Sequence, residues 1–240
     1  NFDLSFEYYF PKSGFAGINV FYKRFTDAVY RESRRIQPGG EGSEELARKF
    51  VARGTNDTVW NTTRMANSGD GSLFGAEIVL QRPLDFLPDF LSGFSIDLNA
   101  TLIDSEVELL LEERLGEEVT LFKQPDVLAN ASLIYQRAGF LGRVSVNHRG
   151  EFLERVQAGR FEIMDLEELE LPTDALDVRV APFTRLDLYF QYSLTPQFSV
   201  FFEGTNVLNE VKEEFFGDER RVRLVQETGP DYFLGLQWKR

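Results

Sequence analysis

The feature that most constrains the fold is an alternation of apolar and polar residues, repeated in nine stretches of about ten residues. In the clearest stretch, residues 94–102, apolar side chains at even positions alternate with Ser, Asp, Asn and Thr at odd positions. A period of two is that of a β-strand with one apolar and one polar face. Because a tilted strand of this length can cross a bilayer, the pattern predicts strands with lipid on one face and water on the other.

The connections between these stretches alternate between short turns and long charged loops. The predicted strands are Asp3–Phe10, Phe15–Phe25, Leu73–Arg82, Phe94–Leu102, Val127–Gln136, Phe140–Arg149, Phe183–Leu194, Phe198–Asn206 and Asp231–Lys239. The predicted loops are Arg31–Ser72, Ser105–Gln124, Gly150–Pro182 and Val207–Gly229, the last of which contains a further alternating segment, Arg221–Gln226, that could extend a hairpin. Short turns on one side of the membrane and long loops on the other are typical of outer-membrane barrels.

Composition excludes several classes of function. The net charge of −13 argues against a nucleic-acid partner, which requires a basic surface. With no cysteine and a single histidine, the chain has neither thiolate metal sites nor a His-rich metal cluster, and no cofactor is indicated. The chain has no initiator Met and already reads as a strand from Asn1, so we expect a piece of a longer protein.

A soluble or surface β-sandwich ligand-binding module would show the same alternation and is the alternative. Full charges in the middle of strands and the alternating loop lengths favour a barrel with a wet interior. Aromatic residues that should lie at the lipid interface mark the strand ends: Phe10, Tyr22, Tyr135, Tyr192 and Trp238. We therefore predict an all-β, antiparallel, up-and-down transmembrane β-barrel. Because nine such strands leave the first and last running the same way, the chain should not close into a barrel alone.

Short motifs that resemble those of a known protein family occur along nearly the whole chain, in the order found in that family. They are Asp3–Phe10 with Phe21-Tyr22-Lys23, Gly75-Ala76-Glu77 before Leu87-Pro88, Gln124–Tyr135, Glu203–Asn209 and Gly235–Lys239. Together they resemble the C-terminal part of the β-barrel of TonB-dependent outer-membrane receptors. One departure is Arg240 after Trp238-Lys239, where that family usually ends on an aromatic residue.

The resemblance implies a transporter rather than an enzyme, located in the bacterial outer membrane. Residues 1–240 would be a partial barrel domain, the last nine or so strands of a 22-strand barrel. The implied partners are outer-membrane lipid, the N-terminal plug and remaining barrel strands, TonB acting through the missing N-terminal part, and a small ligand such as a ferric siderophore.

Six charged residues lie on the polar faces of their predicted strands, which would line the interior of the barrel. They are candidates for the ligand path or for contact with the plug: Lys23, Arg143, Arg149, Arg185, Asp187 and Glu203. Alternatively they pair with one another, since charges in such a lumen need partners. The basic stretch Arg31, Arg34, Arg35, Arg48, Lys49 and Arg53 could recognise an anionic iron chelate or be an exposed loop.

Two further hypotheses concern chemistry in the loops and at the lone histidine. Glu112-Glu113 with Glu117-Glu118, and Asp165 with Glu167, Glu168 and Glu170, could bind Ca²⁺, or form solvated, self-repelling loops. His148 could serve a lipid-hydrolysing enzyme, but its parity places it on the lipid-facing side near a strand end. We therefore predict no metal-coordinating residue and no catalytic residue.

Overall fold

The computed structural model describes residues 1–36, 39, 45, 60–111, 114–158 and 171–239. In chain order its strands are β1 (Phe2–Tyr9), β2 (Phe15–Phe25), β3 (Val29–Ile36), β4 (Trp60–Asn67), β5 (Gly71–Pro83), β6 (Phe94–Glu108), β7 (Glu118–Val119), β8 (Val127–Arg137), β9 (Phe140–Arg149), β10 (Phe152–Arg155), β11 (Gln157–Ala158), β12 (Val178–Val180), β13 (Phe183–Ser193), β14 (Phe198–Thr205), β15 (Lys212–Phe216), β16 (Asp218–Gln226) and β17 (Asp231–Trp238). A short 3-10 helix, Asp89–Gly93, precedes β6. No helix in these ranges is long and apolar enough to cross a membrane.

Nine strands form one antiparallel sheet in the order β1-β2-β5-β6-β8-β9-β13-β14-β17, which we call the wall. These are the nine strands predicted from the alternation, so that prediction is confirmed, and β2 and β9 have the predicted bounds. The largest difference is β6, which continues past Leu102 to Glu108. β1 and β17 each pair with a single wall strand, so the wall has two open edges and does not close alone, as predicted.

Short turns join the wall strands at one rim. Arg137 pairs with Phe140 across a two-residue loop in which Ala138 and Gly139 have φ values of 50° and 82°. Positive φ at both positions is the geometry of a type I′ turn, which matches the twist of the two strands. At another turn, Gly14 has a φ of 90°, and a Cβ there would collide with the carbonyl oxygen of Gln81.

The wall carries most of its aliphatic side chains on one face, and that face is uncovered. Leu4, Phe6, Leu234 and Leu236 are 62%, 67%, 79% and 68% exposed. A β-sandwich would bury such a face against a second sheet, so the sandwich alternative is wrong. An uncovered apolar face next to a polar one is the arrangement expected of strands that cross a bilayer.

The described parts of the long connections, which were predicted as loops, contain short strands. They contain a four-stranded sheet, β10-β12-β15-β16, and a three-stranded sheet, β11-β3-β4, while β7 pairs with β6. The hairpin suspected around Arg221–Gln226 is present as β15 and β16. We call β3, β4, β7, β10–β12, β15, β16 and the described residues that connect them the outer layer.

The outer layer has its own hydrophobic core. Tyr30, Leu109, Leu111, Leu153 and Val156 are buried together, and the ring of Tyr30 stacks on Phe122 at 4.9 Å between centroids. In the wall, by contrast, Phe21 and Val107 are buried, but many large apolar side chains are exposed. Burial of apolar side chains against one another therefore stabilises the outer layer. The apolar face of the wall, by contrast, requires a lipid environment.

Candidate functional site

The polar face of the wall is a surface of side chains that hydrogen-bond across neighbouring strands. Asn130 donates to the side-chain oxygen of Asn99 at 2.8 Å, and the hydroxyls of Ser132 and Ser145 lie 2.8 Å apart. These bonds join β6 to β8 and β8 to β9. A face of this chemistry suits a hydrated interior, so we call it the inner face.

Asp187 joins three elements on the inner face. Its Oδ2 atom accepts hydrogen bonds from Arg185 Nε at 3.0 Å and from Asn147 Nδ2 at 3.2 Å. Its Oδ1 atom accepts from the backbone N–H of Asn206 at 3.0 Å. Two of the predicted site residues, Arg185 and Asp187, are thus brought together as an ion pair that links β9, β13 and the end of β14.

Asn206 holds the connection that follows β14, a role that residue spacing did not reveal. Its side chain accepts from the backbone N–H of Glu210 at 3.0 Å and donates to the carbonyl oxygens of Glu210 at 3.0 Å and Gly229 at 3.4 Å. The residue is 5% exposed and has a φ of 52°, which Asn tolerates better than most residues. The one signal in the sequence was its place in the segment Glu203–Asn209 that resembles the receptor family.

Two other predicted residues belong to a row across four strands. Arg143, Tyr189, Glu203 and Phe233, which we call the inner row, are direct neighbours in the register of β9, β13, β14 and β17. The guanidinium carbon of Arg143 lies 5.8 Å from the ring centroid of Tyr189, which stacks on Phe201 at 6.2 Å. Arg143 and Glu203 are exposed and form no ion pair with the described residues. The row offers one cation, one anion and flat rings to whatever occupies the interior.

The remaining two predicted charges lie near the loop ends of their strands. Lys23 lies over the ring of Phe21, with 5.1 Å from its Nζ atom to the centroid. Arg149 lies over the rings of Phe152 and Phe183 at 4.9 and 5.8 Å and donates to the carbonyl oxygen of Ala181 at 3.5 Å. The rings therefore hold the Arg149 guanidinium beneath the outer layer, away from the inner row.

The predicted interface aromatics all have the parity of the apolar face. Phe10, Tyr135, Tyr192 and Trp238 lie near the short-turn rim, and Tyr22 lies near the loop ends. Tyr135 contacts the rings of Phe94 and Phe140, with centroids 4.7 and 6.1 Å apart. An interfacial girdle formed by these residues remains a prediction.

An ion triad that sequence reasoning missed lies in the outer layer. Arg114, whose side chain is 4% exposed, donates two hydrogen bonds to Glu117 at 2.8 and 2.7 Å and one to Asp177 at 2.7 Å. Burial alone would lower the pKa of Arg114, but the bonds to Glu117 and Asp177 outweigh it and raise the pKa above its ordinary value. The Arg114 hydrogen bond in turn holds the pKa of the Glu117 carboxyl below its ordinary value. Arg114 and Asp177 are 63 positions apart in the sequence, so no local pattern could have revealed the triad.

The hypotheses on metals and catalysis gain no supporting geometry. Glu117, a predicted calcium ligand, is engaged by Arg114, and the described residues contain no cluster of three or more His, Asp or Glu side chains suited to a metal ion. Glu112, Glu113, the acidic residues at 165–170 and the basic residues at 48, 49 and 53 lie outside the described residues, as do the side chains at 34 and 35. His148 Nδ1 lies 2.8 Å from the hydroxyl of Thr184 rather than beside a carboxylate.

Comparison with known proteins identifies the architecture. A family model described as "TonB dependent receptor-like, beta-barrel" matches residues 1–207. Two structures of variants of the ferric enterobactin receptor (PfeA) from Pseudomonas aeruginosa match with TM-scores of 0.54 and 0.53. Each is 15% identical to this chain over 98% of it and 30% of the receptor chain, a likeness that shows the fold. No curated protein matches the chain in sequence.

Proposed function

The chain belongs to the TonB-dependent receptor-like β-barrel family, and on that basis we propose that it forms part of an outer-membrane receptor that takes up a ferric siderophore or a similarly scarce small nutrient. The observation that carries the proposal is a nine-stranded meander with one uncovered apolar face and one hydrogen-bonded polar face. This is the wall of a barrel between lipid and a wet interior. The role is transport rather than catalysis, and the location is the bacterial outer membrane.

The chain spans 30% of the two receptor chains that it resembles in structure. We propose that residues 1–240 are a partial barrel domain, the last nine strands of a 22-strand barrel. The open edges of β1 and β17 would then pair with strands from the rest of a longer protein, because unpaired edges do not persist in a bilayer. The plug and the segment that contacts TonB would also lie in that remainder.

The inner face suggests different roles for the predicted charges. Arg185 and Asp187 already satisfy each other, so their role is to fix β13 against its neighbours. Arg143 and Glu203 flank Tyr189 in register, which places their Cα atoms about 10 Å apart at normal strand spacing. Unpaired charges of opposite sign at that spacing suit a polar protein surface, so we assign them to contact with the plug. We propose that Lys23 and Arg149, which lie nearer the loop ends, line the ligand path.

Uptake by the full receptor tests the proposal. The receptor is produced in a Gram-negative strain that lacks its own siderophore receptors, and growth under iron limitation is measured with a panel of ferric siderophores. We expect at least one to restore growth, and we expect deletion of TonB to abolish the effect. Growth that is independent of TonB, or accumulation of the receptor outside the outer membrane, would contradict the proposal.

The roles of single residues require variants in the same assay. Arg143→Ala and Glu203→Ala should reduce uptake while the receptor still reaches the membrane. Arg24→Ala is the matched control, because Arg24 is exposed on the apolar face and pairs with Asp70 at 3.2 Å, away from the interior. Equal effects of all three variants would show that the inner row has no special role.

A further inference from the structure

An arginine on the apolar face, at the short-turn rim, has no carboxylate partner among the residues that the structure describes. Arg82 is near the end of β5 and has the same parity as Ile78 and Leu80, which puts it on the face that the proposed function assigns to lipid. At the opposite rim of the same face, Arg24 is paired with Asp70. A cation that faces lipid without a counter-ion is costly unless it lies at headgroup depth and finds an anion there.

The Arg82 guanidinium is held in a defined position. Its carbon lies 4.0 Å from the ring centroid of Phe10 and 5.4 Å from that of Phe86. Its Nη1 atom donates to the carbonyl oxygen of Ser13 at 3.0 Å, and no other hydrogen bond joins it to the described residues. Because a guanidinium has five N–H donors in a fixed fork, four remain available in a geometry that matches phosphate oxygens.

The surroundings of Arg82 fit a lipid headgroup rather than a protein partner. Lys12, next to Ser13 in the same turn, has a side chain that is 72% exposed and pairs with Asp85 at 3.9 Å. Phe86 and Phe90 are 61% and 62% exposed in the adjacent connection, continuous with the apolar face of the wall. The guanidinium of Arg82, bordered by apolar rings and with the Lys12–Asp85 pair beside it, complements an anionic phosphate attached to acyl chains.

We propose that Arg82, with Lys12 and the rings of Phe10 and Phe86, binds the phosphate of an anionic phospholipid. Because the short turns of outer-membrane barrels are periplasmic, the lipid belongs to the periplasmic leaflet. The fork of Arg82 contacts two phosphate oxygens, Lys12 adds charge, and the acyl chains lie along the apolar face beyond Phe10. The site rests on the proposed function, since it requires the wall to be in a membrane.

Native mass spectrometry of the full receptor in detergent tests the site. Phosphatidylglycerol and, separately, phosphatidylethanolamine are titrated, and apparent dissociation constants are obtained from the bound populations. We expect the wild type to prefer phosphatidylglycerol, and Arg82→Gln to bind it about tenfold more weakly, because a charge-assisted bidentate contact is lost. Arg82→Lys should fall between them, since it keeps the charge but loses the fork. Excess inorganic phosphate should not displace the lipid.

The matched control is Arg24→Gln, which removes an arginine from the same face at the opposite rim. It should leave phosphatidylglycerol affinity unchanged, because Asp70 already neutralises Arg24. Equal affinities for wild type and Arg82→Gln, or an equal loss in Arg24→Gln, would overturn the site. Each variant must keep the heat-modifiable gel migration of a closed barrel. A wild type that retains no lipid and shows no heat-modifiable band would instead contradict the proposed function.

Discussion

Replacing Arg114 with methionine should destabilise the outer layer while leaving the wall intact. The substitution removes all three hydrogen bonds that Arg114 makes in the triad, including the bond to Asp177, whose side chain is 2% exposed. Breaking a buried ion pair by removing one partner costs about 3–5 kcal/mol. Methionine keeps most of the apolar volume of the side chain, so the loss of charge dominates the change.

Hydrogen exchange measured by mass spectrometry reports this loss where the triad is anchored. The amide of Leu109 donates to the carbonyl oxygen of Glu117 at 2.8 Å, within the segment that Arg114 fixes. A loss of 3 kcal/mol or more corresponds to a fall of roughly 100-fold in protection there, since each 1.4 kcal/mol is tenfold. Amides in the middle of β9, a wall strand outside the outer layer, should exchange as in the wild type.

The control is Arg220→Met, which breaks another short ion pair of the outer layer. Arg220 bonds Asp218 at 2.6 Å, but its side chain is 89% exposed. Exposed pairs contribute little because water screens the two charges, so protection should change less than about tenfold. If Arg114→Met and Arg220→Met reduced protection equally, the reasoning that burial gives the triad its strength would be refuted.

Three further changes test other parts of the structure. Gly75→Ala should lower the temperature at which the folded band is lost on a gel, because the added Cβ would collide with the buried ring of Phe21. Overpacking of this kind costs about 1–3 kcal/mol of stability. An unchanged temperature would show that the ring can move. Leu234→Arg places a charge on the apolar face at mid-membrane depth, which should destabilise the folded receptor by about 2–4 kcal/mol and reduce its yield. Gln237→Arg, on the inner face, should leave the yield unchanged. Similar yields would contradict the assignment of faces. Because folding lowers the pKa of Glu117, the Glu117 carboxylate stabilises the outer layer at any pH above its ordinary pKa of 4.5, and this stabilisation is lost as the pH falls through the pKa of the folded state. Hydrogen exchange of the outer layer, measured across that pH range, should show the loss. Glu117→Gln should make the exchange less dependent on pH.

The wall was predictable because each of its strands carries its own signal. A strand between lipid and water must alternate over its whole length, so the ends of Phe15–Phe25 and Phe140–Arg149 could be read directly from the sequence. The alternation of apolar and polar positions also placed Arg143 and Glu203 together on the inner face. Register, however, depends on turn geometry and pairing across the sheet, so their position on either side of Tyr189 emerged only from the structure.

The outer layer was not predictable because its order arises from contacts between distant segments. Its strands are as short as Gln157–Ala158, too short for a period of two to be recognised. Its core collects Tyr30, Leu109 and Leu153 from three different connections, each of which is strongly charged. Charge and length indicated loops, but tertiary packing decided the local structure.

Spin labels along a single wall strand provide the most direct test that the chain is a membrane barrel. The chain has no cysteine, so single cysteines can be introduced at residues 96–101 of β6 in the full receptor and labelled without background. Reconstituted in lipid, labels at Ile96, Leu98 and Ala100 should be relaxed by oxygen, which partitions into lipid. Labels at Asp97, Asn99 and Thr101 should be relaxed more by a water-soluble paramagnet. Uniform accessibility along the strand, or alternation of the opposite phase, would contradict a wall with lipid on one side and water on the other.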